Sequence, residues 1–392
     1  MKKLLILLLC LPMLAACGKG AYQSVPFAPS EQGSKPSAIP AIPTFQVSSV
    51  PLENRSSALP GAVLCSRGWI FIDGGGVARV YSPEAGTVNA LCSDPLCSHL
   101  PDSDCAYRSC VFTEIPVQAG ERLWLIARAD WKENSLLPAR SVCSTDLYGR
   151  DKKIHYENDG AEMYGLYAEE DFVWWLERVG DEQFLLTRYD VRKKKTARMP
   201  CGEDEHKILS GFVRLGDRVF YTLDDGMIRS CRTDFSDDVF VAQTRGTELY
   251  ASERTGCAYW LEEGAFISYD PTSKRTETVI VPPEGFRFFT LLPTDDGFAY
   301  TLIPEDTEPF KSYKDYIGAV TVDPALYLWD PVTGERERLS LPEGIIPTHL
   351  SAYAGGILFT SGVHENEWTH TPAFPGWIAC QPETGEFWEV EP

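Results

Sequence analysis

Short runs of aromatic and β-branched residues recur from about residue 60 to the end of the chain, each alternating with polar positions and bounded by Gly, Pro or Asp. Period-two alternation of this length predicts strands, and no long segment holds helical periodicity. The clearest copy is Leu326 to Leu341, LYLWDPVTGERERLSL. It reads as a strand ending in Tyr327, Leu328 and Trp329, an Asp-Pro-x-Thr-Gly turn, and a second strand in which Leu339 and Leu341 alternate.

Degraded copies fill the rest of the chain. Each unit reads as an inner strand, a Gly or Gly-Asp turn, an aromatic second strand, a loop, a third strand ending near Asp, a turn and a fourth strand. Second strands are expected at 69–72, 123–126, 172–175, 219–222, 258–261, 297–300 and 357–360. Third-strand turns are expected at 82–83, 145–146, 189–190, 233–234, 270–271, 330–331 and 381–382. The turns lie about 36 to 63 residues apart, close to the length of a four-stranded propeller blade with its loops. A lone blade cannot bury both faces, so its aromatic residues must pack on neighbouring blades, and closing the ring removes most exposed sheet surface. The expected fold is all-β, a single β-propeller of seven four-stranded blades over residues 46–392. A pair of β-sandwiches or a β-helix is the competing arrangement.

The N-terminus has another character. Lys2 and Lys3 precede the apolar run LLILLLCLPMLAA, too short to span a bilayer stably, so residues 1–16 read as an export signal. Leu14-Ala15-Ala16-Cys17 resembles the bacterial lipoprotein lipobox, which implies lipidation at Cys17, a membrane anchor and an extracytoplasmic location. Residues 17–45 carry Pro26, Pro29, Pro36, Pro40 and Pro43 among Ser, Ala and Gly and read as a flexible tether. Extended, it would reach on the order of 80 Å. Formal net charge is −20, and removal of Lys2 and Lys3 with the leader leaves −22. An acidic surface argues against nucleic acid as a partner and against adhesion to anionic wall polymers or lipid headgroups.

Tyr259-Trp260-Leu261-Glu262 followed by Ile267-Ser268-Tyr269-Asp270 resembles a YWTD-type propeller blade. The chain from about residue 60 resembles uncharacterised bacterial cell-surface β-propeller lipoproteins, which carry a Cys-x4-Cys-x-His-x4–5-Cys segment after the first blade. Here that segment is Cys92, Cys97, His99 and Cys105, with Cys110 beyond it. The resemblance implies a fold and an envelope location, and no activity.

Three thiolates and an imidazole, Cys92, Cys97, His99 and Cys105, suffice as a tetrahedral set for a structural zinc. Two disulfides are the ordinary outcome in an oxidising compartment, and disulfides, metal and free thiols all stay open. No other cofactor is expected. Cys143 and Cys231 both fall in Cys-x-Thr-Asp, and Cys380 lies on the same strand type. Corresponding positions in non-adjacent blades are too far apart to pair, so these read as small buried residues, as do Cys65 and Cys257.

The chain lacks a Gly-x-Ser-x-Gly elbow, a His-Glu-x-x-His, a P-loop and a dinucleotide fingerprint. Thr222 to Gly226 resembles a sialidase Asp-box, but Arg229 stands where the aromatic should be. The doublets Asp224-Asp225, Asp237-Asp238 and Asp295-Asp296 fall at turns and read as solvated carboxylates.

In an up-and-down blade the loops after the second and fourth strands emerge on one face. The long excursions 127–139, 303–324 and 361–375 and the Cys loop 92–110 are of these kinds, in blades that are contiguous once the ring closes. They gather Trp131, Tyr313, Tyr316, His364, Glu367, Trp368, His370 and Phe374, the composition of a recognition surface. The expected function is that of a membrane-anchored surface lipoprotein that is not an enzyme and binds a protein, peptide or glycan through this face. The alternative is a propeller hydrolase or lyase acting on carbohydrate, with loop-face or channel carboxylates as acid and base.

Overall fold

The computed structural model describes residues 62–72, 77–83, 85–94, 96–97, 116–128, 140–158, 163–179, 183–199, 208–223, 225–244, 249–262, 264–294, 297–305, 325–341, 350–354, 356–361, 377–381, 383–384 and 386–390. All lie within one compact unit, residues 42–392. The leader, Cys17 and the tether fall outside the described residues.

Seven four-stranded antiparallel sheets follow one another, each with its strands in chain order. Sheet 1 comprises Ala62–Cys65, Gly68–Ile72, Ala78–Ser82 and Thr87–Ala90, and sheet 2 comprises Val117–Ala119, Arg122–Arg128, Arg140–Asp146 and Lys153–Asn158. Sheet 3 is Met163–Ala168, Phe172–Val179, Gln183–Asp190 and Lys195–Arg198, and sheet 4 is Ile208–Leu215, Arg218–Leu223, Met227–Arg232 and Val239–Gln243. Sheet 5 is Leu249–Ser252, Cys257–Glu262, Ala265–Asp270 and Arg275–Ile280, and sheet 6 is Phe286–Pro293, Phe298–Pro304, Ala325–Trp329 and Arg336–Ser340. Sheet 7 is Leu350–Ala354, Ile357–Ser361, Trp377–Gln381 and Glu386–Val390. No helix occurs among the described residues, and the sheets are arranged as the blades of a β-propeller.

The core lies between blades. Alternation along Phe172–Val179 sends Val173 and Trp175 into a cluster with Trp124 and Val142 of blade 2, and Trp174 and Leu176 into one with Phe212 and Tyr221 of blade 4. Blades 5 and 6 meet through aromatic rings, with Tyr259, Phe266 and Trp329 packed around Phe298 at centroid distances of 5.0 to 5.6 Å. Trp69, Phe71 and Tyr81 of blade 1 share a cluster with Ala379 and Val390 of blade 7. Each such side chain contributes about 1.5–3 kcal/mol when fully buried. That explains why the aromatic runs recur with the blades.

Two glycines at the entry to second strands are fixed by close approach. A Cβ on Gly68 would meet the Tyr81 carbonyl oxygen at 2.1 Å, and one on Gly297 the Trp329 carbonyl oxygen at 2.1 Å. Asp330, in the motif LYLWDPVTGERERLSL, accepts from the Val332 amide at 2.8 Å and also binds Arg254 of blade 5 through both guanidinium ends at 3.1 Å. It is therefore a link between blades as well as a turn residue.

Blades 2 and 4 fasten their outer turns with one device. In blade 2, Arg122 opens the second strand, donates to Ser144 Oγ at 2.8 Å and reaches Asp151 Oδ2 at 3.0 Å. In blade 4, Arg218 donates to Ser230 Oγ at 2.7 Å and to Asp237 Oδ2 at 2.8 Å. This sets the register between blades and corrects one sequence expectation. Cys231 pairs across from Val219 and Cys380 from Leu358, each one residue past the start of its second strand, whereas Cys143 pairs with Leu125, two residues further on. Cys-x-Thr-Asp therefore matches Cys143 to Cys231 two residues out of register. All three are buried, and burial pushes the Cys231 and Cys380 thiols up to about 12. Cys65 is buried as well, while Cys257 is only partly so.

Blade 3 inverts the device. Phe172 holds the register position of Arg122, and Arg188 that of Ser144. Arg188 turns toward blade 4, where Nη1 donates to the Thr233 carbonyl and the guanidinium lies 4.8 Å from the Phe172 ring centroid, 5.6 Å from Trp174 and 5.8 Å from Phe235.

Candidate functional site

Because each sheet is laid down antiparallel in chain order, its second and fourth strands finish at the same end. This crossover end carries the second-to-third connections and the blade-to-blade connections. The opposite, turn end carries the two tight turns of every blade. The segments 129–139, 306–324 and 362–376 each join a second strand to a third, in blades 2, 6 and 7. Shared cores join blade 6 to 7, 7 to 1 and 1 to 2. The frame thus presents three long connections from one arc at one end. Trp131, Tyr313, Tyr316, His364, Glu367, Trp368 and His370 themselves lie outside the described residues.

Of the proposed metal set, Cys92 and Cys97 are described, and His99 and Cys105 are not. Asp94 shapes the turn between the two cysteines: its Oδ1 accepts from Leu96 N at 2.9 Å and its carbonyl from Cys97 N at 3.1 Å. Cys92 and Cys97 are not joined to each other, and both pack on the cluster between blades 1 and 2. Ser93 donates to the Tyr148 carbonyl at 2.7 Å through its hydroxyl. Tyr148 lies in the third-to-fourth turn of blade 2, which belongs to the turn end. The start of the Cys segment is therefore held along the wall between blades, not on the crossover end where the loop order alone places it. Among the described residues, no group of three or more His, Cys, Asp or Glu is arranged to hold a metal ion.

The described residues contribute one polar constellation at the crossover end. Glu177, fully buried on the second strand of blade 3, accepts from Tyr156 OH and Asn158 Nδ2 of blade 2 at Oε1. Thr187 Oγ1 donates to Oε2 at 3.0 Å, and Arg198 reaches both oxygens at 3.2 Å. A buried carboxylate is tolerated when donors surround it, and here they come from two blades. Burial, then the hydrogen bond to Glu177, pushes the Tyr156 hydroxyl up to about 12, so it stays a donor. With both oxygens occupied, Glu177 is a fixed anchor for the half-exposed Arg198 and not a free base. Sequence reasoning missed it, although a signal existed: Glu177 continues the alternation of Val173 and Trp175, the side that faces blade 2.

Asp237 and Asp238 are less simply solvated than turn position suggests, since Asp238 accepts from Tyr221 OH at 2.7 Å and pairs with Arg229 at 2.9 Å. Asp225 keeps its turn role, accepting from Met227 N at 2.9 Å.

No family model matches the chain, and no curated protein matches it. Among solved structures it is similar to an oligogalacturonate lyase from Vibrio parahaemolyticus, with 11% identity, TM-score 0.50, and coverage of 82% of this chain and 83% of that one. A second oligogalacturonate lyase, in complex with manganese, shares 13% identity at TM-score 0.48 over 69% of this chain and 73% of its own. The computationally designed protein Ika8 shares 12% identity at TM-score 0.46, covering 86% and 88%. At these identities the similarity concerns the fold alone.

Proposed function

We propose that this chain is a lipid-anchored envelope protein whose closed, seven-bladed propeller captures a protein, peptide or glycan at its crossover end. Ring closure is supported by the core cluster shared between blades 1 and 7. Lipidation at Cys17 and a tether over residues 17–45 would hold the propeller at a membrane on its outer side. The observation that carries the binding reading is topological. The connections containing Trp131, Tyr316 and Trp368 leave the same end of blades 2, 6 and 7, which adjoin one another through blade 1. Such convergence suits recognition, because loops on a rigid scaffold can vary without disturbing the core.

The combined variant Trp131→Ala, Tyr316→Ala and Trp368→Ala should lose at least about tenfold in affinity for the ligand found on a glycan and peptide array. Unchanged binding by a variant with parental unfolding behaviour removes the reading.

The second reading is a lyase or hydrolase acting on an acidic carbohydrate, favoured by the fold shared with the Vibrio oligogalacturonate lyase. Against it, the buried carboxylate described at the crossover end has both oxygens occupied by donors. Turnover of oligogalacturonate by the parent chain would move the assignment to this class.

A further inference from the structure

The outer hairpins, made of third and fourth strands, are alike in form and unlike in charge. That of blade 3, Gln183–Arg198, carries Arg188, Arg192, Lys193, Lys194, Lys195 and Arg198 against Asp190 alone, a net of +5. The other six run from −3 to +1 within a chain of net charge −20. Protecting a sheet edge from unwanted pairing does not explain this, because mixed charges serve that purpose equally well. Blade 6 does it with Arg336, Glu337 and Arg338, and blade 5 with Arg275 and Glu277.

The basic turn does not stand alone. At the same end of blade 2, the turn between third and fourth strands carries Arg150, Lys152 and Lys153, all exposed. A ring contact joins the two outer hairpins, His155 lying 5.4 Å from Tyr189. Lys153 and Lys194, one from each turn, both act on the His155 imidazole, so their fields overlap. Some of the charge is spent locally, Lys153 on Asp151 at 2.8 Å, Arg192 on Asp171 at 2.6 Å and Lys193 on Asp190 at 3.2 Å. Arg150, Lys152, Lys194 and Lys195 make no ion pair among the described residues. Lys194 occupies a left-handed backbone position, φ 52°, as Lys274 does in blade 5 at φ 57°, where blades 1 and 6 place Gly86 and Gly334.

We propose that the outer hairpin of blade 3, with the adjoining turn of blade 2, is a docking surface for an anionic lipid bilayer. Its cations are exposed side chains on and beside a tight turn, which suits a flat field of headgroups better than a polymer chain that needs a groove and exposed ring faces. Exposed Ile154, beside Lys153, adds an apolar contact at the level of the headgroups. The acidic remainder of the molecule is repelled by the same surface, so the two halves of the charge distribution set one orientation. Since the basic turns lie at the turn end, docking would leave the crossover end facing away from the membrane. The net charge that argues against headgroup adhesion for the whole molecule thus has a local exception. The proposal stands apart from lipidation at Cys17.

The test uses the full chain carrying Cys17→Ser, so that no anchor forms, and vesicles of phosphatidylcholine with or without phosphatidylglycerol. Co-sedimentation with the anionic vesicles only, weakened by added salt, is expected. The variant Lys193→Glu, Lys194→Glu and Lys195→Glu should bind at least about tenfold more weakly, while Lys274→Glu with Arg275→Glu in blade 5 should bind like the parent. No binding to anionic vesicles, or undiminished binding by the blade 3 variant, overturns the proposal. So does binding to a soluble anionic polysaccharide such as heparin without binding to vesicles.

Discussion

Blades 2 and 4 solve the fastening of their outer hairpins internally, whereas blade 3 solves it by reaching into its neighbour. In the first pair an arginine on the second strand lies along a serine and ends on an aspartate across the outer turn. In blade 3 the arginine has moved to the serine's position, and a phenylalanine stands in its place. The residue opposite the end of the third strand changes in concert: Asp151 and Asp237 in the clamped turns, Lys195 in blade 3. With Arg188 packed against blade 4, no second-strand arginine calls for an aspartate across the outer turn, and Arg192, Lys193, Lys194 and Lys195 stand there instead. The difference teaches that blades 2, 3 and 4 share a fixed arginine at the outer hairpin, while the strand that supplies it and the partners that hold it differ.

The largest effect should come from importing the clamped blades' residue into blade 3. Arg188→Ser removes the hydrogen bond to Thr233 and the stacking on Phe172, Trp174 and Phe235. The expected loss is about 3 kcal/mol in unfolding free energy, because a partly buried guanidinium over aromatic faces contributes about 0.5–2 kcal/mol and a charged hydrogen bond about 1.5–3 kcal/mol. Denaturant midpoints check it. A loss below that of Arg218→Ser, which breaks the internal clamp of blade 4, would undo the distinction between the two kinds of fastening.

How much of this was legible in the sequence follows from what sets each feature. Strand positions were legible because burial on a pleated surface imposes alternation, and the aromatic runs at Trp69, Trp124 and Tyr259 fall within second strands, as expected. The Asp-Pro-x-Thr-Gly turn was legible because Asp330 and Gly334 act on their own neighbours. The clamps were not, because Arg122, Ser144 and Asp151 meet only when the register of three strands is known. A two-residue error in matching Cys143 to Cys231 hides that register. Glu177 was passed over because its five donor contacts come from three strands in two blades. The basic ridge escaped notice for another reason: summing charge over the chain averages blade 3 against an acidic background.

A smaller effect separates the two clamped blades from each other. Each has an extra residue bulged out of the fourth strand beside the clamp serine, His155 in blade 2 and Val241 in blade 4. Burial, with the charges of Arg122, Lys153 and Lys194, lowers the His155 pKa from 6.5 to about 4, and its Nε2 lies 2.7 Å from Ser144 Oγ. The unfolded chain therefore takes up the proton first as pH falls. The contribution of neutral His155 is complete above about pH 6.5 and erodes down to about pH 4. For a half-exposed ring this amounts to on the order of 1 kcal/mol after solvent screening. His155→Phe should flatten the stability profile across that window, whereas Val241→Ala should leave its shape alone. Denaturant midpoints measured from pH 7 to pH 4, taken as about that range, decide between them.

The smallest effect isolates what Lys194 costs its own turn. Lys194 and Gly334 occupy the same left-handed position in the outer turns of blades 3 and 6, at φ 52° and 76°. Nothing lies within 4 Å of a Cβ placed on Gly334, so exchange there tests backbone conformation without a clash. Left-handed backbone costs an L-residue about 1 kcal/mol relative to glycine. Lys194→Gly should therefore stabilise the fold by up to about 1 kcal/mol and Gly334→Lys destabilise it by a similar amount. If the lysine is kept for the membrane, the stabilised Lys194→Gly variant should be the weaker binder of anionic vesicles, by about fivefold for one lost charge. Stability and binding moving in the same direction would mean that the turn is tuned for folding alone, and blade 3 would then differ from blade 6 in composition without differing in task.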